Sequence, residues 1–437
     1  MLNYYLKLAW LSLKTHRGLS VLMVLAISLG VATAMTSYSV LRRMSSDPIP
    51  SKSEQLFALQ LDNWDAERPF GEPPQDMPDQ LSYIDLSNLL AASAAPRQVG
   101  MYKVVQTVVP ENRAVKPYNA ALRVTTRDFF EMFQVPFAHG AAWSAGDDAR
   151  AAASIVLTKK SNDKLFGGEN SVGRSLRLGS DVYTITGVLQ AWDVKPLFYD
   201  VSNGPLNDTE AFFIPLSTAS ARNYSNSGNT NCYAPARDGF DGLKRSECIW
   251  TQFWVELPDA GAKTSYEQFL ENYVAQQKKL GRAFPRKQAW RLSNVMQWLT
   301  LNRVVPDDTR TLAWIGFAFL MVCLLNAAGL LLAKFLRRSS EIGLRRALGA
   351  PKSSIFAQHL IEAGLIGMAG AVLGLSLTAV ALFCVRKLLP NFEAVARLDW
   401  SLVLMCVVLS IATALASGFY PAWRACRIPP ATQLKSN

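Results

Sequence analysis

Four stretches of this chain are apolar for long enough to cross a bilayer: residues 19–41, 311–335, 355–387 and 401–421. A bilayer core needs about 20 such residues. With no water to bond exposed peptide groups, each stretch must satisfy its own backbone, which makes it a helix. The spacing is uneven. Residues 42–310 separate the first stretch from the second, while the last three follow closely. Apolar residues are 50% of the 437, and their concentration into four windows predicts a helical membrane protein carrying one large domain outside the bilayer.

The net charge of +11 follows the same plan. Lys7, Lys14 and Arg17 precede the first window. Lys334, Arg337, Arg338, Arg345, Arg346 and Lys352 lie between the second and third, and Arg424, Arg427 and Lys435 follow the fourth. Basic residues at span ends mark the cytoplasmic side. Both ends of the chain and the 336–354 loop are therefore expected inside, and 42–310 and the short 388–400 loop outside. Arg42 and Arg43 oppose this and are outnumbered. The charge thus points to a membrane surface rather than to nucleic acid. Residues 1–18 read as an amphipathic lead-in helix with Leu2, Leu6, Ala9, Trp10 and Leu13 on one face. Ala32-Thr33-Ala34 resembles a leader cleavage site, but the apolar character runs past it. Residues 422–437 read as a cytoplasmic tail.

The 42–310 segment alternates strand and helix signals. Strands are expected at 55–61, 101–109, 120–125, 154–157, 175–178, 182–189, 211–214 and 250–257. Helices are expected at 83–92, 127–133, 159–166 and 264–279. This predicts an α+β domain of two subdomains, one discontinuous (about 45–130 and 248–305) and one inserted (about 131–247). Residues 198–247 read as a long polar insert and 64–79 as a second mobile loop. Cys232 and Cys248 are the two cysteines of this external segment. On an oxidising side they are expected to pair, tethering the insert. Cys323, Cys384, Cys406 and Cys426 fall in or beside the spans and read as small hydrophobes.

Several chemistries lack their residues. No G-x-x-x-x-G-K-[ST] loop occurs, so these residues should not hydrolyse a nucleotide. His16, His139 and His359 are scattered and show no metal spacing. No G-x-S-x-G elbow is present. No catalytic residue, metal or cofactor is expected in this chain.

The positive signal is Ser340–Gly374. Glu341 to Leu348 suits a helix, with Glu341 and Arg345 paired at i,i+4. Leu344, Ala347 and Leu348 share one apolar stripe. Gly349 is placed to end that helix and Pro351 to stop its continuation. The segment reads either as a docking helix or as an ordinary basic loop. The next window carries Gly367, Gly370 and Gly374, small residues that let helices approach closely. Packing against a neighbouring span of the same chain is the plain expectation. Asn326, near mid-membrane, is expected to bond within the bundle. Glu362 is expected near the inner interface, beside the arginines of the 336–354 segment, an elbow between the second and third windows.

Ser340 to Pro351, then Glu362-Ala363, Gly370 and Gly374, together with the tail Gly418 to Pro430, resemble the FtsX-like domain of ABC transporter permeases. Val124 to Phe130, Leu165 to Gly168 with Gly173, Tyr183 to Leu189 and Phe213 to Leu216 are similar to the MacB-type periplasmic core. The resemblance departs most over 190–250. It implies four spans, a dimer with a second copy or a paralogue, and a bacterial inner-membrane location. It also implies ATP and Mg held by partner cytoplasmic ABC ATPases. In the family's fused members the ATPase precedes the first span. Only 18 residues precede it here, so a separate ATPase chain is expected. Residues 336–354 then look like the coupling helix, with Glu341, Leu344, Arg345, Arg346, Ala347 and Leu348 facing the ATPase. The family implies export or efflux of a peptide or small molecule with a periplasmic adaptor and an outer-membrane channel. The alternatives are a Lol-type lipoprotein-extracting permease and a non-transporting FtsX-like signal transducer.

Overall fold

A computed structural model describes residues 2–15, 17–111, 115–388 and 399–427. Most of the 388–400 loop, the end of the tail and His16 lie outside the described residues, as do the side chains of Leu2, Leu6 and Trp10. The chain divides into two compact units, 1–45 with 305–437 and 46–304.

In chain order, α1 (Leu2–Thr15) and α2 (Arg17–Met44) come first. The outer segment then runs β1 (Leu56–Leu61), β2 (Leu81–Ser82), α3 (Tyr83–Ala92), β3 (Arg97–Val109), β4 (Tyr118–Thr125), α4 (Asp128–Met132), β5 (Phe137–Gly140) and α5 (Ala145–Ala149). It continues through β6 (Ser154–Leu157), α6 (Lys159–Phe166), β7 (Ser175–Leu178), β8 (Asp181–Leu189), a 3-10 turn (Phe198–Asn203), β9 (Phe212–Pro215), α7 (Leu216–Ala221) and α8 (Gly239–Lys244). It closes with β10 (Ile249–Glu256), α9 (Ala260–Lys279), β11 (Trp290–Asn294) and α10 (Val295–Leu301). The last helices are α11 (Asp307–Arg337), α12 (Ser339–Ala347), α13 (Lys352–Leu388) and α14 (Trp400–Arg427).

Four helices, α2, α11, α13 and α14, are long and apolar enough to span a membrane. All four overrun the apolar windows because polar ends continue the same helices. Their shared core holds Met23, Ile27, Val31, Leu320, Ala327, Leu331, Ile366 and Ala414. Glycines set the close approaches. A Cβ on Gly30 would lie 2.9 Å from Cβ of Cys323, and one on Gly367 would lie 2.7 Å from Cβ of Ala414.

The outer unit is an α+β domain built on one mixed sheet in the order β11-β1-β10-β3-β4-β9-β6-β8-β5. The strands of the expected discontinuous part occupy one end and those of the inserted part the other. They meet where β4 and β9 run parallel, with Val124 opposite Ile214, and again where β7 pairs with the end of β3, with Leu178 opposite Val108. Period-2 alternation covers both faces. Phe57, Leu59, Ile155, Leu157, Phe212 and Ile214 enter one apolar core, and Leu56, Ala58, Val156 and Phe213 enter the other.

Several boundaries move for identifiable reasons. Asp259 caps α9, its carboxylate accepting from the Ala262 amide at 2.8 Å, so the helix starts at Ala260 rather than 264. Pro215, expected to stop the strand at 214, is itself the last residue of β9, opposite Thr125 of β4. The short strands β5 and β11 carry too few apolar residues to announce themselves. The 198–247 insert is more ordered than its composition suggests, since it contains the 3-10 turn, β9, α7 and α8. Its Asn-rich stretch is held by backbone: the Ser227 amide donates to Lys103 O at 2.9 Å. Loop 64–79 has no regular element but is anchored. Arg291 donates to Pro74 O and pairs with Asp76, and Gln60 donates to Pro78 O.

Candidate functional site

The elbow forms because its residues suit a short helix and its end is closed. Arg338 precedes α12, and the helix stops at Ala347 with Leu348 as its cap residue. Gly349 takes a φ of +95°, a left-handed conformation that costs glycine little. Its amide bonds Arg346 O at 3.1 Å, and the Ala350 amide bonds Arg345 O at 3.0 Å. These two bonds make a Schellman closure. Lys352 then opens α13.

One side of α12 is tied to the membrane unit. Ile342 is buried in its core. Glu341 accepts from Arg345 at 2.6 Å and pairs with Arg338 at 2.9 Å. Arg345 also donates to Gln358 Oε1 at 3.0 Å, and Arg346 donates to Cys426 O at 3.3 Å. The arginines expected to face a partner are therefore engaged within the chain. The opposite side carries the apolar stripe: Leu344 is 54% and Leu348 81% exposed, with Ala347 exposed beside them. A short capped helix held by charge on one side and showing two leucines on the other is suited to insert into a groove.

The helix-packing residues fall at span contacts. A Cβ on Gly370 would lie 3.1 Å from Ile27, and one on Gly374 would lie 3.4 Å from Ser28 O, both on α2. Gly367 faces Ile411 and Ala414 of α14. Asn326 departs from expectation. The register of α11 turns Leu320, Cys323, Ala327 and Leu331 inward, which leaves Asn326 on the exposed face with no hydrogen bond among the described residues.

Glu362 is fully enclosed, linked through Ser12 to Arg338 at the start of α12, and it meets a group that sequence reasoning placed only in a flanking charge run. Lys334 Nζ lies 2.5 Å from Glu362 Oε1, and both side chains are 0% exposed. A lysine at such a helix end reads as a topology mark. Only its inward rotamer shows otherwise.

In the outer unit Cys232 and Cys248 form a disulfide at the foot of the insert. No group of three or more potential metal ligands occurs among the described residues. An open groove of about 750 Å³ lies between α3 and α9, lined in part by Ile84, Asn88, Phe269, Gln276 and Leu280. Arg282 at its end is bound to Asp85 and Glu247.

Residues 20–265 match the MacB-like periplasmic core domain and residues 313–430 the FtsX-like permease C-terminal domain. The probable export ATP-binding/permease protein MacB of Pseudomonas entomophila (strain L48) is 24% identical over 428 residues, which are 97% of this chain and 57% of the relative. The probable syringafactin export ATP-binding/permease protein SyfD of Pseudomonas syringae pv. tomato (strain ATCC BAA-871 / DC3000) is 25% identical over 435 residues, again 97% and 57%. The chain thus spans a little over half the length of these curated relatives. Among solved structures, the periplasmic region of MacB from Actinobacillus actinomycetemcomitans aligns with a TM-score of 0.37 at 13% identity, covering 56% of this chain and 92% of that one. The extracellular domain of the noncanonic ABC-type transporter YknZ from Gram-positive bacteria aligns at 0.34 and 12%, covering 55% and 100%.

Proposed function

The chain belongs to the MacB-type family of ABC transporter permeases with an FtsX-like C-terminal domain, and on that premise we propose that it turns ATP hydrolysis by a separate ABC ATPase into movement of its outer domain. These residues carry no phosphate-binding loop, in keeping with energy supplied by a partner ATPase. The observation that carries the reading is the exposed Leu344–Leu348 pair on a helix braced by Glu341, Arg345 and Arg346. The leucines seat in the ATPase, and the braces pass its displacement into the spans. The chain lies in a bacterial inner membrane with both ends and the elbow on the cytoplasmic side, in keeping with the basic residues around α12. The moving outer domain drives export of a peptide or small molecule, in a dimer and with a periplasmic adaptor and an outer-membrane channel. The relatives' names support the export class.

The test is co-purification of the ATPase from the native membrane with Leu344→Asp/Leu348→Asp. Both positions are exposed, so the variant should remain monodisperse while losing the ATPase. A variant that keeps ATPase and transport-coupled turnover at wild-type level would overturn the assignment.

A further inference from the structure

The end of the helical unit nearest the elbow encloses a row of polar groups that the capping of α12 does not require. Lys334 sits one turn from the end of α11. A lysine there ordinarily extends its amine to the membrane surface. Instead it turns inward, lies 2.5 Å from Glu362 and donates to Ser20 Oγ at 3.2 Å. Glu362 Oε1 also accepts from Ser12 Oγ at 2.6 Å, and Ser12 Oγ accepts from Arg338 at 2.6 Å. Arg338 pairs with Glu341, Glu341 with Arg345, and Arg345 reaches Gln358. His359 Nδ1 lies 3.8 Å from Glu362 Oε2, and among the described residues neither that oxygen nor either ring nitrogen of His359 has a hydrogen-bond partner. The hydrogen bonds to the carboxylate come from Lys334 and Ser12.

The route joins five helices. The elbow α12 is linked by the chain itself to α11 and α13. It has no such link to α1 or α2. Ser12 on α1 and Ser20 on α2 are reached through Glu362, Lys334 and Arg338. Burying two charges is unfavourable unless they stay paired, so the closed pair resists separation of the helices that carry it.

We propose that Ser12, Lys334 and Glu362 are positioning residues that form a latch, fastening the elbow to α1 and α2 so that displacement of α12 moves the first span together with the second. The proposal rests on the reading of α12 as the point where force enters, but its test needs no ATPase. Hydrogen–deuterium exchange of the whole chain in lipid nanodiscs reads the latch directly, because exchange follows local opening. Glu362→Gln should raise exchange in both α12 and α1 by about tenfold, leaving residues 46–304 unchanged. The charge-swapped double variant Lys334→Glu/Glu362→Lys should return both helices toward wild type. Ser12→Ala, which removes the bonds to both Glu362 and Arg338 but leaves the Lys334–Glu362 pair in place, should loosen the same two helices and keeps the test open if Glu362→Gln does not fold. Wild-type exchange in α12 and α1 of these single variants would overturn the latch. So would a uniform rise across all four spans, which is the signature of a merely structural ion pair.

Discussion

Arg123 on β4 and Asp200 in the 3-10 turn, 77 residues apart, form an ion pair closed off from solvent. The same guanidinium nitrogen donates to Glu210, just ahead of β9. Gln252 donates to the other Asp200 oxygen at 2.9 Å and Asn203 at 2.7 Å, while the Tyr199 hydroxyl donates to Glu210 at 3.3 Å. Burial pushes the Asp200 carboxyl up against the opposing pull of Arg123. One cation thus holds the entry of the polar insert to the middle of the sheet.

Removing that cation strands two enclosed carboxylates. Arg123→Met should cost about 3–5 kcal/mol of outer-domain stability, the range for breaking a buried pair from one side. Denaturant unfolding followed by tryptophan fluorescence checks the loss, and limited proteolysis should cut first within 198–247. A change below about 1 kcal/mol would mean the pair behaves like a surface contact.

The insert's other fastening is covalent. Cys232→Ser/Cys248→Ser opens a loop with a sequence separation of 16. On the chain-entropy estimate it should destabilise the outer domain by about 3 kcal/mol. Reductant should shift the wild type toward the variant and leave the variant unmoved. In unreduced wild type neither thiol should take an alkylating label.

A pH effect follows from Asp79. Burial is the largest influence on its carboxyl and raises it above the usual range; the Ser202 hydroxyl, donating at 2.7 Å, pulls the other way. An acid raised on folding contributes stability in full below its unfolded pKa, about 3.9, and loses it as pH rises through the folded value. Asp79→Asn should therefore stabilise the outer domain at pH 7 by on the order of 1 kcal/mol, and the difference should vanish below about pH 4. Unfolding midpoints of both proteins across pH 4–8 give the comparison. A variant less stable at pH 7 than at pH 4, relative to wild type, contradicts the sign.

The candidate site was legible where its signals are local. The elbow closes at Gly349 because a glycine and a following proline end a helix whatever surrounds them. The strand at Ser154–Leu157 and the helix at Lys159–Phe166 stand at the positions their patterns indicate. The intrachain partners of Arg345 and Arg346 were not foreseen, because Gln358 and the Cys426 carbonyl are brought near only by the turn into α13 and by the end of α14.

By itself, the sequence determined four apolar helices, an α+β outer domain, a capped basic elbow and a pair of external cysteines. Each rests on residue spacing or composition within a short window. Tertiary structure alone decided that Lys334 turns inward to Glu362, that Asn326 faces out, that Arg123 is enclosed, and that β4 and β9 join the two halves of the sheet. Those outcomes depend on helix rotation and on partners far apart in the chain, as with Ser12 and Glu362, 350 residues apart. Whether a charge is buried is settled by the group it meets, and hydrophobic periodicity carries no record of that meeting.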